Sequence, residues 1–229
     1  MKNKARYFII ILIVIFASLA AYFYLSKFYF EEKEQKIYTA ADFPEALKIM
    51  SEDILEKSLK DLNLQYQKLK ENDHVYIRWI NIGILKKRLN DFYGAEEAWQ
   101  SAIKYNPDQA LAFGNLAELY LFDLKENQKA EEYYLKVLEM RENNYNDYFG
   151  LAALYRYNLT EKANLIEGLM LKGAEKNPAE AENYYMYLAD YFYQEGDNIE
   201  KSKDYSQKTL ELNPNLKDQL PNLWNRKKS

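Results

Sequence analysis

The chain has 229 residues, and its few glycines (7) and prolines (5) beside abundant Leu, Ala, Glu and Lys favour helices. It contains no cysteine, which excludes disulfides, thiolate zinc sites and thiol catalysis. The formal net charge is −4, and all 35 acidic residues lie beyond residue 30 with 27 of the 31 basic ones. We therefore expect no nucleic-acid partner, because phosphate contacts need clustered Lys and Arg.

The N-terminal stretch predicts a membrane anchor. Residues 7–25 are almost wholly apolar, with Ser18 as the one clear polar interruption. A helix rises about 1.5 Å per residue, so this run nearly spans a hydrocarbon core of about 30 Å. We predict a single transmembrane helix over residues 7–26. The basic residues 1–6 are then cytoplasmic, and the rest of the chain is periplasmic or extracellular. A cleaved signal peptide, processed near residues 18–20, is the alternative.

Residues 27–41 read as a polar spacer, and residues 42–72 predict an N-terminal helical cap or partial repeat. Asp42 is the predicted N-cap, with Pro44 in the first turn. The apolar residues of this segment recur at spacings of four and three, at Leu55, Leu59, Leu62, Tyr66 and Leu69. Two interpretations are open: the stripe packs on the next segment, as one helix or as two broken near Asn63, or it pairs two copies as a short coiled coil.

Four later segments share a pattern of large and small apolar residues. Each first helix has a large residue, at Trp79, Phe113, Tyr148 and Tyr185. An apolar–small pair follows three residues later, at Ile82-Gly83, Leu116-Ala117, Leu151-Ala152 and Leu188-Ala189. The second helices repeat contact positions at Ala95, Trp99 and Ala102; at Ala130, Tyr134 and Val137; at Ala163 or Ile166, Met170 and Gly173; and at Ser202, Tyr205 or Ser206, and Thr209. Prolines close three of the segments, at Pro107, Pro178 and Pro214.

This pattern resembles the tetratricopeptide repeat (TPR), a helix–turn–helix unit of about 34 residues. The resemblance implies an all-α TPR-type solenoid, here with an N-terminal transmembrane helix. Its four repeats would cover residues 73–214, at about 76–109, 110–144, 145–181 and 182–215. Residues 216–229 are expected to form a C-terminal capping helix and tail. Suitable N-cap residues predict helix starts at Asp91, Asn127, Thr160 and Asp197.

No catalytic motif with useful spacing is present, and the one histidine, His74, lies at the entry to the first repeat. We therefore expect no catalytic residues, no metal and no cofactor. The chain is predicted not to be an enzyme.

The resemblance also implies a partner site. First helices of TPR arrays line a concave face, which commonly binds extended peptides or partner helices. This face would carry Ile77, Ile80, Ile84, Lys87, Arg88, Asn115, Glu118, Phe122, Phe149, Arg156, Tyr157, Asp190 and Tyr193. Ile80 and Ile84 replace the Lys and Asn of the family's carboxylate clamp, so apolar anchors are expected instead. A groove filled by the N-terminal helix or by a second copy is the alternative.

The sequence thus predicts a membrane-anchored, non-catalytic scaffold or adaptor that binds a peptide or helix of a protein partner, in envelope assembly or secretion. The alternative is a structural homo-oligomer, assembled through the helical stripe at residues 47–69 and the membrane helix.

Overall fold

The computed structural model describes residue 18 and residues 36–141, 143–195 and 198–221. These residues contain no strand and form ten α-helices: α1 (Pro44–Ile49), α2 (Glu52–Lys70), α3 (Val75–Arg88), α4 (Phe92–Tyr105), α5 (Ala110–Glu118), α6 (Asn127–Met140), α7 (Tyr145–Tyr157), α8 (Ile166–Lys176), α9 (Ala181–Gln194) and α10 (Ile199–Leu212). Apart from Ser18, the predicted transmembrane helix over residues 7–26 lies outside the described residues. Within the described part, no helix combines the length and apolar character needed to cross a membrane.

The helices from α3 to α10 form four pairs, α3–α4, α5–α6, α7–α8 and α9–α10. The two helices of each pair pack together, and the second helix of one pair also packs on the first helix of the next. These eight helices therefore form an array in which each pair contacts its neighbours. This is the arrangement of a helical solenoid.

The repeated apolar–small pairs of the first helices explain why the helices pack in this way. All eight of these residues are buried. A Cβ atom on Gly83 would lie 2.3 Å from Nε1 of Trp99, and one on Gly173 would lie 2.3 Å from Cε1 of Tyr184. The absence of a side chain at these positions thus allows a large ring to lie directly on the neighbouring helix. In the third pair, Ile166 is buried and Ala163 is only half-buried, so Ile166 takes the close-packed position.

The stripe on α2 packs within the chain. Leu55 and Leu62 are buried in a cluster with residues of α3 and α4, and Leu59, Tyr66 and Leu69 pack against it. This burial supports the cap interpretation, and it leaves the stripe occupied rather than available for a coiled coil with a second copy.

The predicted helix break near Asn63 is wrong, because the break lies at Met50 and Ser51 between α1 and α2. The Asn63 side chain accepts from the backbone N–H of Tyr38 at 2.8 Å and donates to its carbonyl at 2.9 Å. An asparagine whose amide is paired outside the helix does not compete for the helix backbone.

The predicted helix starts are correct in part. Asp91 caps α4 and accepts from the N–H of Gly94 at 2.9 Å. Asp42 is not the cap of α1, since its carboxylate is paired with Thr39 in the preceding 3-10 turn. The side chain of Asn198 caps α10, while Asp197 lies outside the described residues.

Two further predicted caps do not cap their α-helices. Asn127 is the first residue of α6, after a cap at Glu126 whose side chain makes no cap hydrogen bond. Thr160 opens a 3-10 segment, Thr160–Leu165, that precedes α8. The turn before each helix, rather than the residue type alone, sets these boundaries.

Tyrosine hydroxyls link successive pairs through glutamates of the preceding second helix. The phenol donates to the carboxylate in three cases: Tyr120 to Glu96, Tyr155 to Glu131, and Tyr205 to Glu167. Burial raises the pKa of each of these phenols, and the adjacent glutamate adds to the rise. Burial opposes ionisation of Glu167, but hydrogen bonds from Lys201 and Tyr205 outweigh it and hold the pKa of Glu167 below its usual value. The many tyrosines thus serve the packing between pairs.

The C-terminal end is covered by a 3-10 segment, Pro214–Gln219, which packs on α10. Leu220 follows it and packs against the main core cluster, the set of buried apolar side chains that extends from Ile80 to Tyr205. This segment occupies the start of the predicted capping helix at residues 216–229, and residues 222–229 of that prediction lie outside the described part.

Candidate functional site

The first helices of the pairs carry exposed apolar side chains. We call this surface the first-helix face, and it comprises Ile77, Ile84, Leu111, Phe122 and Tyr157, which are 45%, 43%, 42%, 54% and 68% exposed. Side chains join neighbouring first helices: Nζ of Lys87 lies 2.9 Å from Oδ2 of Asp123, and Nη1 of Arg156 lies 3.1 Å from Oδ2 of Asp190. The first helices of the first and second pairs, and those of the third and fourth pairs, are therefore neighbours.

The predicted partner-binding residues divide into three groups. Exposed ones are Ile77, Ile84, Arg88, Glu118, Phe122 and Tyr157. Half-buried ones are Lys87, Asn115, Phe149, Arg156, Asp190 and Tyr193. The placement of Ile80 on the face is wrong, because this side chain is 3% exposed and lies in the main core cluster with Trp99.

Arg156 is not the isolated positive point that the sequence suggested. Its side chain is 7% exposed, and it donates to Asp190 at 3.1 Å and to Glu195 at 3.3 Å. Its guanidinium also lies over three tyrosine rings, at 5.2, 5.8 and 5.5 Å from the centroids of Tyr157, Tyr187 and Tyr191. Burial raises the pKa of Tyr187 to about 12. Arg156 therefore joins the third and fourth pairs through ion pairs and ring contacts.

Phe149 is likewise a packing residue. Its ring centroid lies 4.1 Å from that of Tyr145 on the same helix, and 5.0 and 5.4 Å from those of Tyr184 and Tyr187 on α9. Its ring fills the junction between the third and fourth pairs.

The first helix of the second pair ends in a π-helical turn, Leu119–Asp123. Such turns are rare and are often found at functional sites. This turn buries Leu119, Tyr120 and Leu121 and leaves Phe122 exposed. No local sequence signal predicts the turn, and the sequence analysis missed it.

A polar pocket of about 180 Å³ lies between α5 and the start of α7. Its lining residues are Leu111, Gly114, Asn115, Glu118, Arg141, Asn144, Asn146 and Asp147. Nε of Arg141 donates to Asp147 at 3.0 Å, and Nη2 donates to it at 3.3 Å. Burial raises the pKa of Asp147, although the charge of Arg141 acts in the opposite direction.

In the described ranges, no group of three or more His, Asp or Glu side chains is arranged to hold a metal ion. His74, at the start of α3, is exposed and contacts Asp73. The first-helix face combines exposed apolar side chains with exposed charged ones such as Glu118.

One region of the chain resembles a known family. Residues 110–144 match the family model of the tetratricopeptide repeat. This range contains α5, the π-helical turn and α6, and it coincides with the bounds that residue spacing predicts for the second repeat. No curated protein matches the chain.

Proposed function

We propose that this chain, in which residues 110–144 match the family model of the tetratricopeptide repeat, is a non-catalytic scaffold or adaptor that binds a protein partner on the first-helix face. Tetratricopeptide repeats generally mediate protein–protein interactions, and they are typically non-catalytic. The observation that carries the proposal is the row of exposed apolar side chains on three successive first helices, at Ile84, Phe122 and Tyr157.

The charges of the face favour apolar anchors over an anionic ligand. Lys87 and Arg156, the two positive residues at the junctions between first helices, are both paired with carboxylates. Arg88 remains exposed at the end of α3. An extended peptide or a partner helix with apolar side chains at regular spacing matches such a surface.

A random peptide library displayed against the full chain in detergent tests this function. In the face variant, Ile84→Ser, Phe122→Ser and Tyr157→Ser are combined. Each burial of a large apolar side chain contributes about 1.5–3 kcal/mol, so the selected peptides are expected to bind the face variant at least about 100-fold more weakly.

The matched control combines Tyr93→Ser, Leu135→Ser and Leu171→Ser, which are equally exposed residues on the second helices α4, α6 and α8. This control is expected to retain peptide affinity, with circular dichroism checking that both variants remain folded. Equal losses in the two variants, or no loss in the face variant, would contradict a partner site on the first helices.

The proposal also places residues 7–26 in a membrane, with residues 1–6 in the cytoplasm and the repeats outside it, where envelope assembly or secretion takes place. The apolar run and the charge asymmetry around it support this placement. The homo-oligomer alternative has less support, because Leu55 and Leu62 of the stripe within residues 47–69 are buried in a cluster with residues of α3 and α4.

Topology can be measured with single cysteines, since the chain contains none. Gln128→Cys introduces a thiol at an exposed position of α6, and Asn3→Cys introduces one before the apolar run. A membrane-impermeant maleimide applied to spheroplasts is expected to label position 128 and not position 3. Labelling of position 128 only after lysis would place the repeats in the cytoplasm.

A further inference from the structure

The first helix of the first pair exposes a single line of side chains. Ile77, Ile84 and Arg88 are exposed in α3, and all its other residues are half-buried or buried. Intervals of seven and eleven residues return to the same side of an α-helix, because each turn has about 3.6 residues. Ile77 and Ile84 therefore lie on one side of α3, about 10 Å apart along its axis, and Arg88 ends the line.

The first helix of the second pair repeats this line. Leu111 and Glu118 are the exposed residues of α5, and they lie at the same interval along the chain as the two isoleucines of α3. Phe122 follows in the π-helical turn and is 54% exposed. Counted from the apolar–small pair of their repeat, these three residues occupy the same positions as the exposed line of α3.

The two helices are joined near both ends. Where they begin, the hydroxyl of Tyr76 donates to the carbonyl of Gln109 at 3.5 Å. Where they end, Nζ of Lys87 lies 2.9 Å from Oδ2 of Asp123. The helices α3 and α5 are therefore neighbours that run in the same direction, and their exposed lines run parallel. We call the six residues of the two lines the α3–α5 strip.

We propose that the partner presents an amphipathic α-helix, which lies along the α3–α5 strip. The inference rests on the proposed function, and it specifies the conformation and the chemistry of the segment that the first-helix face binds. The partner helix has apolar side chains at positions i, i+3 or i+4, and i+7. They contact the apolar side chains of the strip, which are Ile77, Ile84, Leu111 and Phe122.

The spacing along α3 favours a helix over an extended peptide. A partner helix rises by about 1.5 Å per residue, so its residues i and i+7 lie on one face about 10 Å apart, as Ile77 and Ile84 do. In an extended strand, every second residue lies on the same face, at intervals of about 6.6 Å. A strand with one side chain level with Ile77 therefore has no side chain of the same face level with Ile84.

The charges of the strip specify the charges of the partner helix. Arg88 belongs to the α3 line and Glu118 to the α5 line, and both are exposed. Opposite charges across an interface favour association, and like charges oppose it. The partner helix therefore carries an acidic residue on its flank next to α3 and a basic residue on its flank next to α5.

Polar residues limit the strip to the first two pairs. Asn146 and Asn183 occupy, in the third and fourth pairs, the repeat position that Ile77 and Leu111 occupy in the first two. An apolar stripe gains little from contact with these amides, because burying a polar group without a hydrogen bond is unfavourable. The same repeat position thus provides both the test substitutions and a matched control.

Selection from a random 18-residue peptide library on the full chain in detergent tests the inference. The selected peptides are expected to have apolar residues at helical spacing. Proline at their central position is expected to weaken binding at least about tenfold, since proline breaks a helix. Arg88→Glu is expected to change the preferred residue at one peptide position from acidic to basic.

Two serine pairs locate the contact. Ile77→Ser combined with Leu111→Ser is expected to weaken binding of the selected peptides at least about tenfold, because two apolar contacts are lost. Asn146→Ser combined with Asn183→Ser is expected to leave the affinity within about twofold of wild type. Circular dichroism checks that both variants remain folded.

The outcomes separate this inference from the proposed function. Apolar residues at every second peptide position, or tolerance of the central proline, would overturn the partner helix. Equal effects of the two serine pairs, or an unchanged charge preference in Arg88→Glu, would overturn its placement. The proposed function would stand in each case if peptides still failed to bind the Ile84, Phe122 and Tyr157 variant.

Two further results would also contradict the partner helix. The first is a dimer of the chain in sedimentation that Ile77→Ser with Leu111→Ser removes, because a second copy would then occupy the strip. The second is selection of no peptide by the folded chain, which would overturn the proposed function as well.

Discussion

Replacing Trp99 by alanine is expected to lower the free energy of unfolding by about 3–5 kcal/mol, the usual cost of truncating a fully buried large aromatic side chain. Trp99 is 2% exposed, and its Nε1 donates to the carbonyl of Ile80 at 3.2 Å. The ring also lies directly on Gly83 of the facing helix. Urea titration of the full chain, followed by far-UV circular dichroism, measures the change.

The contact between Gly83 and Trp99 provides an internal control. Gly83→Ala is expected to destabilise the chain by about 1–3 kcal/mol, because the added Cβ meets a buried ring that cannot move aside. Gly168→Ala, on the helix of another pair, adds a Cβ with nothing within 4 Å. It is expected to stabilise the chain by about 0.5–1 kcal/mol through helix propensity alone.

The two positions should also be coupled. In the Trp99→Ala background, Gly83→Ala is expected to lose most of its effect, because the ring that it meets has been removed. Strictly additive effects of the two substitutions would show that direct contact between these positions does not set the distance between α3 and α4.

The second large effect concerns Arg156, whose replacement by alanine is expected to cost about 2–3 kcal/mol, from the loss of hydrogen bonds to charged groups and of contacts with aromatic rings. The cost should stay below that of breaking a fully buried ion pair, because the side chains of Asp190 and Glu195 are 45% and 54% exposed. Arg88→Ala, at an exposed position, is expected to stay within about 0.5 kcal/mol of wild type.

Arg156→Lys separates charge from shape. Lysine keeps the positive charge but lacks the planar fork that donates to two acids and stacks on rings, so it should recover only part of the lost stability. Hydrogen exchange is expected to increase mainly in α9 and α10, since each pair in a helical array contacts only its neighbours. Full recovery by lysine would indicate that the charge of Arg156, rather than its packing, joins the third and fourth pairs.

The predictable features of the fold depend on residues close together in the chain. The apolar–small pairs recur at helical spacing, and all of them are buried, from Ile82 and Gly83 to Leu188 and Ala189. The cap at Asp91 was predictable for the same reason, because its hydrogen bond to Gly94 spans only three residues.

The candidate site was less predictable, since its character depends on contacts between distant residues. Ile80 and Ile84 lie four residues apart on one helix, yet one is in the core and the other is exposed. Arg156 forms an ion pair with Asp190, which lies 34 residues further along the chain. The spacing of apolar residues within one helix does not show which of those residues a neighbouring pair will cover.

By itself, the sequence determined the helix pairs and their spacing, because helical periodicity and turn chemistry act over a few residues. Only the tertiary structure decided which side chains remain for a partner. It paired Lys87 with Asp123, placed Asn115 and Asn144 in one pocket, and buried the stripe around Leu62. Each of these outcomes depends on contacts between neighbouring helices, because burial and pairing lower the free energy only where residues of two helices meet.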